Sequence, residues 1–218
     1  MSSTRLSNIR KSIALSALLC GTSAAWSNAL DSLDAFVRNA KTGQATFTQV
    51  VTAPAKDGQA VRRKTSSGSF EFSRPNRFRF VYKKPFEQTI VADGQTLWLY
   101  DVELNQVTAR KQAAVLASTP AALIASAADI KSLQVDFALA AAPDLDGLEW
   151  VVATPKAADS SLQSVRVGFR NAELSVLEIL DSFGQRSVIT FGAMQTNSAL
   201  DAGLFQFKPP AGADVIRQ

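Results

Sequence analysis

The 218-residue chain carries 23 Lys/Arg against 19 Asp/Glu, a formal net charge of +4, no histidine and one cysteine. The missing histidine excludes Ser-His triads and the usual zinc sites, and a lone Cys20 excludes an internal disulfide framework. Three of the cations lie in the first 29 residues; without them 20 basic face 19 acidic residues, a net of +1, which gives nucleic-acid binding little electrostatic support.

Arg5, Arg10 and Lys11 precede the apolar run S-I-A-L-S-A-L-L-C-G, and small residues ending in Ser27-Asn28-Ala29 follow it, the pattern of a secretory signal peptide. Cleavage is expected after Ala29, leaving residues 30–218 as one domain without cysteine that works outside the cytoplasm. Cys20 is a poor lipid-attachment site, because Leu18-Leu19 stand where a small residue is wanted. No later segment approaches the roughly 20 apolar residues of a spanning helix.

After the signal, Leu33, Phe36 and Val37 form one helical stripe that should end near Gly43. The period then changes to two. Strands are expected at A-T-F-T-Q-V-V, S-G-S-F-E-F-S, R-F-R-F-V-Y, Q-T-I-V-A and T-L-W-L-Y-D, with turn signals at Asp57-Gly58 and Asp93-Gly94. Within F-E-F-S-R-P-N-R-F-R-F-V-Y, taking Pro75-Asn76-Arg77 as the connection sets Arg74 opposite Phe78, Phe72 opposite Phe80 and Phe70 opposite Tyr82. Arg74 then caps an aromatic face.

Residues 112–133 interrupt the strands with an alanine-rich, apolar segment in which Ser118-Thr119-Pro120 reads as a helix start and Leu123 and Ile124 share a face. Strands resume at L-E-W-V-V-A-T, S-V-R-V-G-F-R, L-S-V-L-E-I-L and S-V-I-T-F-G-A, with turns at Asp146-Gly147, Asn171 and Gly184. The expected fold is therefore mainly β with short helices. About eleven antiparallel strands with one apolar face are too many for three short helices to cover, so the sheet should curl into an unclosed, half-open barrel, with the helices of 112–133 as a lid over an apolar cavity. A β-sandwich is the competing architecture, but it leaves the apolar insert unexplained.

Charge is segregated along the chain. Residues 56–111 hold 11 basic and 6 acidic residues, and residues 129–214 hold 6 and 11. Scattered solvated charge is one reading and a basic docking surface near the Arg74 hairpin is the other. No Gly-rich phosphate cradle, metal set or catalytic constellation stands out, and the nearest carboxylate pair, Asp144/Asp146, sits in a turn. With no catalytic residues, metal or cofactor indicated, the inventory fits a carrier of hydrophobic ligands better than an enzyme. The aromatics Phe47, Phe70, Phe72, Phe78, Phe80, Tyr82 and Trp98 are the candidates for the cavity wall, with ordinary core as the alternative for each.

Several ordered motifs resemble one family. Arg74-Pro75-Asn76 followed by Phe78 and Phe80, then I-V-A-D-G-Q-T-L-W-L-Y-D, Q-V-T, S-T-P-A-A-L-I-A, A-T-P-K and the ending F-K-P-P-A-G-A-D-V-I are similar to the LolA family of periplasmic outer-membrane lipoprotein carriers, across nearly all of residues 30–218. The resemblance implies an apolar cavity that shields lipoprotein acyl chains, loading by an inner-membrane ATP-driven release complex, and delivery by a monomer to an outer-membrane lipoprotein acceptor. It also implies that Arg74 latches the lid, that Phe78 and Phe80 face the cavity, and that Leu116, Pro120, Leu123 and Ile124 belong to the lid. Ala121-Ala122 stand where the family often has two bulky apolar residues, which makes this lid lighter. The rival readings are the acceptor lipoprotein of the same fold, a carrier of other lipids, and a lipid hydrolase with a base other than histidine.

Overall fold

A computed structural model describes residues 29–55, 60–115, 125, 127, 129–158 and 160–218. The first described element is helix α1 (Ala29–Asn39), whose Leu33, Phe36 and Val37 stripe is buried as its spacing predicts. It stops at Asn39, short of Gly43, which already belongs to β1 (Thr42–Thr52). Gly43 is required there by packing, since a Cβ would lie 2.2 Å from the Phe72 ring.

The strands that follow are β2 (Arg63–Ser73), β3 (Arg77–Lys84), β4 (Gln88–Asp93), β5 (Thr96–Asp101) and β6 (Gln106–Lys111). Next come the short helices α2 (Gln112–Val115) and α3 (Ile130–Asp136). The second series is β7 (Phe137–Leu145), β8 (Leu148–Pro155), β9 (Leu162–Arg170), β10 (Glu173–Asp181) and β11 (Arg186–Phe191), then β12 (Gln195–Thr196), a 3₁₀ turn at Ala202–Phe205 and β13 (Asp214–Arg217). All thirteen strands described join one sheet in the order β13-β6-β5-β4-β3-β2-β1-β11-β10-β9-β8-β7, with β12 also on β1. One sheet with β13 and β7 at its two ends is an unclosed barrel, and no second sheet faces it among the described residues.

Pairing is antiparallel except where β13 runs parallel to β6. The connections at Asp93-Gly94, Asp146-Gly147, Asn171 and Gly184 all lie between paired strands as the turn chemistry predicts. The Asp57-Gly58 signal lies outside the described residues, as does the segment read as a signal peptide up to residue 28.

The hairpin register differs from the sequence expectation. Ser73 pairs with Arg77, Phe72 with Phe78 and Phe70 with Phe80, so the connection is Arg74-Pro75-Asn76. Asn76 takes a left-handed φ of 63°, which asparagine tolerates, and this closes the turn one residue earlier on each strand. A shift by two in pairing keeps every side chain on its face, so Phe70, Phe72, Phe78, Phe80 and Tyr82 still share one side.

That side is concave. Phe47, Phe191, Leu177, Val167, Val165 and Phe169 continue the apolar surface across the neighbouring strands, and the buried residues of α1 and Leu133 of α3 pack against it. The convex face is not uniformly wet. Over β4 to β6 it carries Val91, Val107 and Ala109, which are buried with Phe205 of the 3₁₀ turn.

Candidate functional site

The concave face is built from strand alternation. Phe70 and Phe72 on β2 alternate with Glu71, and Phe78 and Phe80 on β3 alternate with Arg77 and Arg79, so four phenyl rings project to one side. Phe70 is fully buried, with ring centroids 4.4 Å from Phe80, 5.5 Å from Phe191 and 5.8 Å from Phe72. Phe47 meets Phe80 and Tyr82 edge-on at 5.5 and 5.0 Å. Burial pushes the Tyr82 phenol up to about 12, so this wall carries no charge at neutral pH.

Trp98 departs from the expected wall. Leu97 pairs with Ala92, which pairs with Phe78, whereas Trp98 pairs with Val91 and so stands on the opposite, convex face. There it packs against Phe207 at 5.5 Å, and its indole donates to Asp93 Oδ2 at 2.9 Å. The strand T-L-W-L-Y-D is apolar on both sides, so alternation alone leaves its orientation undetermined.

At the opposite end of the hydrophobic wall sits Arg74. Its Nε donates to Ala40 O at the end of α1 (2.8 Å) and its Nη1 donates to Ala127 O (3.0 Å). The guanidinium lies 5.3 Å from the Phe36 ring and 5.2 Å from the Phe72 ring, so two aromatic faces receive the charge. Its Nη2 is buried without a hydrogen-bond partner among the described residues. Burial lowers the guanidinium to about 10, which still leaves it cationic at neutral pH. An arginine that ends an aromatic face is expected to bond carbonyls around residues 112–126; Ala127 lies one residue past that stretch, and Ala40 lies just past the end of α1.

The same turn holds that segment elsewhere. Asn76 N donates to Ala125 O (3.2 Å), and the carbonyl of Asn76 accepts from Gln112 Nε2 (2.6 Å). Gln112 is almost wholly buried, and its Oε1 accepts from Gly94 N at 2.9 Å. Gln112 was not singled out in the sequence; the only cue is one amide at the boundary between the charged Arg110-Lys111 and the apolar Ala113-Ala114-Val115. Residues Leu116, Pro120, Leu123 and Ile124 lie outside the described residues.

Asp93 organises the adjoining turn. Burial alone would push its carboxyl up, but hydrogen bonds from Thr96 N (2.7 Å), Trp98 Nε1 (2.9 Å) and Gln95 N (2.8 Å) outweigh it and hold the group below the usual carboxylate range. A depressed folded-state value stabilises the fold above the unfolded-state value of about 3.9, and that contribution is lost as pH falls through the folded value. Acidification below about pH 4 should therefore loosen this turn and shift Trp98 emission. Asp93→Asn should remove that acid-dependent shift; the same titration in wild type and variant would count against this account.

At the far rim the concave face opens into a cavity of about 400 Å³, lined among others by Val51, Lys64, Tyr82, Phe86 and Leu104. A half-open antiparallel barrel with an aromatic concave wall, closed at one rim by an anchored helical region, defines a class of one-sheet proteins with an apolar interior. Within that class the chain belongs to the LolA family: residues 38–208 match the family described as outer membrane lipoprotein carrier protein LolA. It is 72% identical over 193 residues to the outer-membrane lipoprotein carrier protein of Albidiferax ferrireducens, covering 87% of this chain and 91% of that one. To the protein of the same name from Methylibium petroleiphilum it is 53% identical over 204 residues, covering 94% and 97%. An uncharacterized conserved protein from Thermus thermophilus shares the fold at a TM-score of 0.50 and 15% identity, covering 87% of this chain and 97% of that one.

Proposed function

We propose that this protein is a periplasmic carrier that takes the acyl chains of outer-membrane lipoproteins onto its concave face and hands them to an acceptor. The observation that carries the reading is the continuous aromatic wall of Phe47, Phe70, Phe72, Phe78 and Phe80, covered by α1 and by a segment tied down through Arg74. Water gains little from such a wall, whereas each acyl methylene buried on it contributes about 0.8 kcal/mol. The name borne by the relatives matches this chemistry.

In this reading Arg74 and Gln112 fasten the cover, and the lid comprises the region around 112–133 with Leu116, Pro120, Leu123 and Ile124. Cargo arrives from an inner-membrane ATP-driven release complex and leaves to an outer-membrane lipoprotein acceptor, the carrier acting as a monomer with no reaction of its own. Export depends on residues 1–29, removed after Ala29.

The test is saturable binding of a fluorescent acyl-chain probe by the exported protein. Tyr82 lies part-buried at the open end of the wall and lines the cavity. Tyr82→Ser should therefore leave the sheet folded and weaken probe binding about tenfold, the loss of roughly two buried methylenes' contribution. Unchanged affinity in the folded variant would place the ligand elsewhere.

A further inference from the structure

The rim remote from Arg74 is built from the ends of four hairpins. Thr52 pairs with both Arg63 and Arg186, Tyr82 with Gln88, and Asp101 with Gln106, so the connections following β1, β3, β5 and β10 all project from the same end of the sheet. Each carries a large apolar side chain in water. Val61 is 50% exposed, Phe86 50%, Leu104 70% and Phe183 83%. Of the eight large exposed apolar residues described, five lie here, Val102 being the fifth.

Burial elsewhere in this sheet is efficient, so apolar tips gathered on one edge call for a partner. Their form says which kind. The tips stand on separate convex loops, neighbouring hairpins being about 10 Å apart, and so suit a plane better than a pocket. Behind them lie exposed cations: Arg62 just before β2, Arg63 and Lys64 at its start where it pairs with β1, and Lys83 and Lys84 at the end of β3. Lys64 Nζ sits 4.8 Å over the Phe86 ring, so charge and apolar tip are adjacent. Two nearby carboxylates are occupied as turn caps: Asp101 accepts from Leu104 N, and Asp181 from Phe183 N and Gln185 N. Glu87 and Glu103 are also exposed at this rim, and five cations outnumber them on the β2–β3 side.

We propose that this rim docks on an anionic phospholipid bilayer, with Phe86, Leu104 and Phe183 entering the headgroup boundary and the Lys/Arg strip meeting lipid phosphates. The inference rests on the carrier reading for its purpose. The 400 Å³ cavity opens between the same loops, with Lys64, Phe86 and Leu104 in its lining, so docking brings its mouth to the bilayer surface at which the release complex hands over an acyl chain.

Vesicle flotation of the exported, processed protein tests it. Wild type should co-float with phosphatidylglycerol-containing vesicles, and added salt should weaken the association by screening. Lys83→Gln with Lys84→Gln should reduce co-flotation about tenfold, and the triple variant Phe86→Ser, Leu104→Ser, Phe183→Ser should reduce it further. All three apolar positions are exposed, so the variants should keep wild-type circular dichroism. Absence of wild-type co-flotation, equal co-flotation with phosphatidylcholine vesicles, or undiminished co-flotation of the triple variant would each overturn the proposal, as would retention by a protein partner alone. If the protein co-floats but binds no acyl probe, the docking surface stands and the carrier reading falls.

Discussion

Arg74→Leu is expected to hold apolar cargo more tightly than the wild type and to deliver it poorly. Among the described residues the side chain bonds Ala40 O and Ala127 O, and both bonds join the β2–β3 turn to what covers the concave face. Hydrogen bonds to charged groups contribute roughly 1.5–3 kcal/mol net. The lower end of that range applies, because burial lowers the guanidinium to about 10 and Nη2 has no hydrogen-bond partner among the described residues. About 1.4 kcal/mol is a tenfold bias toward the covered, empty form. Cargo must overcome that bias to remain bound, so its removal should raise probe affinity about tenfold and slow transfer to an acceptor by a similar factor. Arg74→Lys should fall between, keeping charge but losing the planar fork. Weaker binding with normal transfer in Arg74→Leu would show that Arg74 is a rim charge and not a latch.

Phe70→Ala should be the most destabilising single truncation of the aromatic wall. Phe70 is packed on all sides and shut off from water, and a phenyl ring removed from such a place costs about 3–5 kcal/mol. For a domain of this size that lowers Tm by roughly 10 °C. The cavity it leaves lies on the face assigned to cargo, so an acyl ligand should recover part of the loss by binding only the folded form. Calorimetry with and without a fatty-acyl probe measures both effects. A comparable truncation on the convex cluster, Phe205→Ala, should destabilise without rescue. Equal ligand rescue in the two variants would break the link between the concave face and cargo.

Much of this architecture was legible in the chain. Phe70, Phe72, Phe78 and Phe80 fall on one face under any register that differs by two, so the wall survived an incorrect turn assignment. The α1 stripe and the Asp-Gly turns are equally local signals. What resisted reading was nonlocal or two-sided. Ala40 contributes only a carbonyl to Arg74, and no side chain advertises it. Trp98 lies on a strand apolar on both faces, where burial of the convex side depends on Phe205 and Phe207 more than a hundred residues later. The alanine-rich β7 has weak strand propensity and forms through pairing with β8, while β13 finds β6 only across about half the chain.

The Arg74-Pro75-Asn76 turn bonds Gln112 at one end of the 112–127 stretch and Ala125 and Ala127 at the other. Two fastenings that share one post cannot be undone in sequence without disturbing each other. A push transmitted from either end moves the same three residues, so the remaining bonds lose their geometry as soon as the first gives way. Release should then be steep in applied load, with little partial opening at low occupancy and abrupt freeing once the threshold is passed. In mechanical terms the turn is a shared post: Gln112 on one side and Ala125 and Ala127 on the other are held by the same three residues.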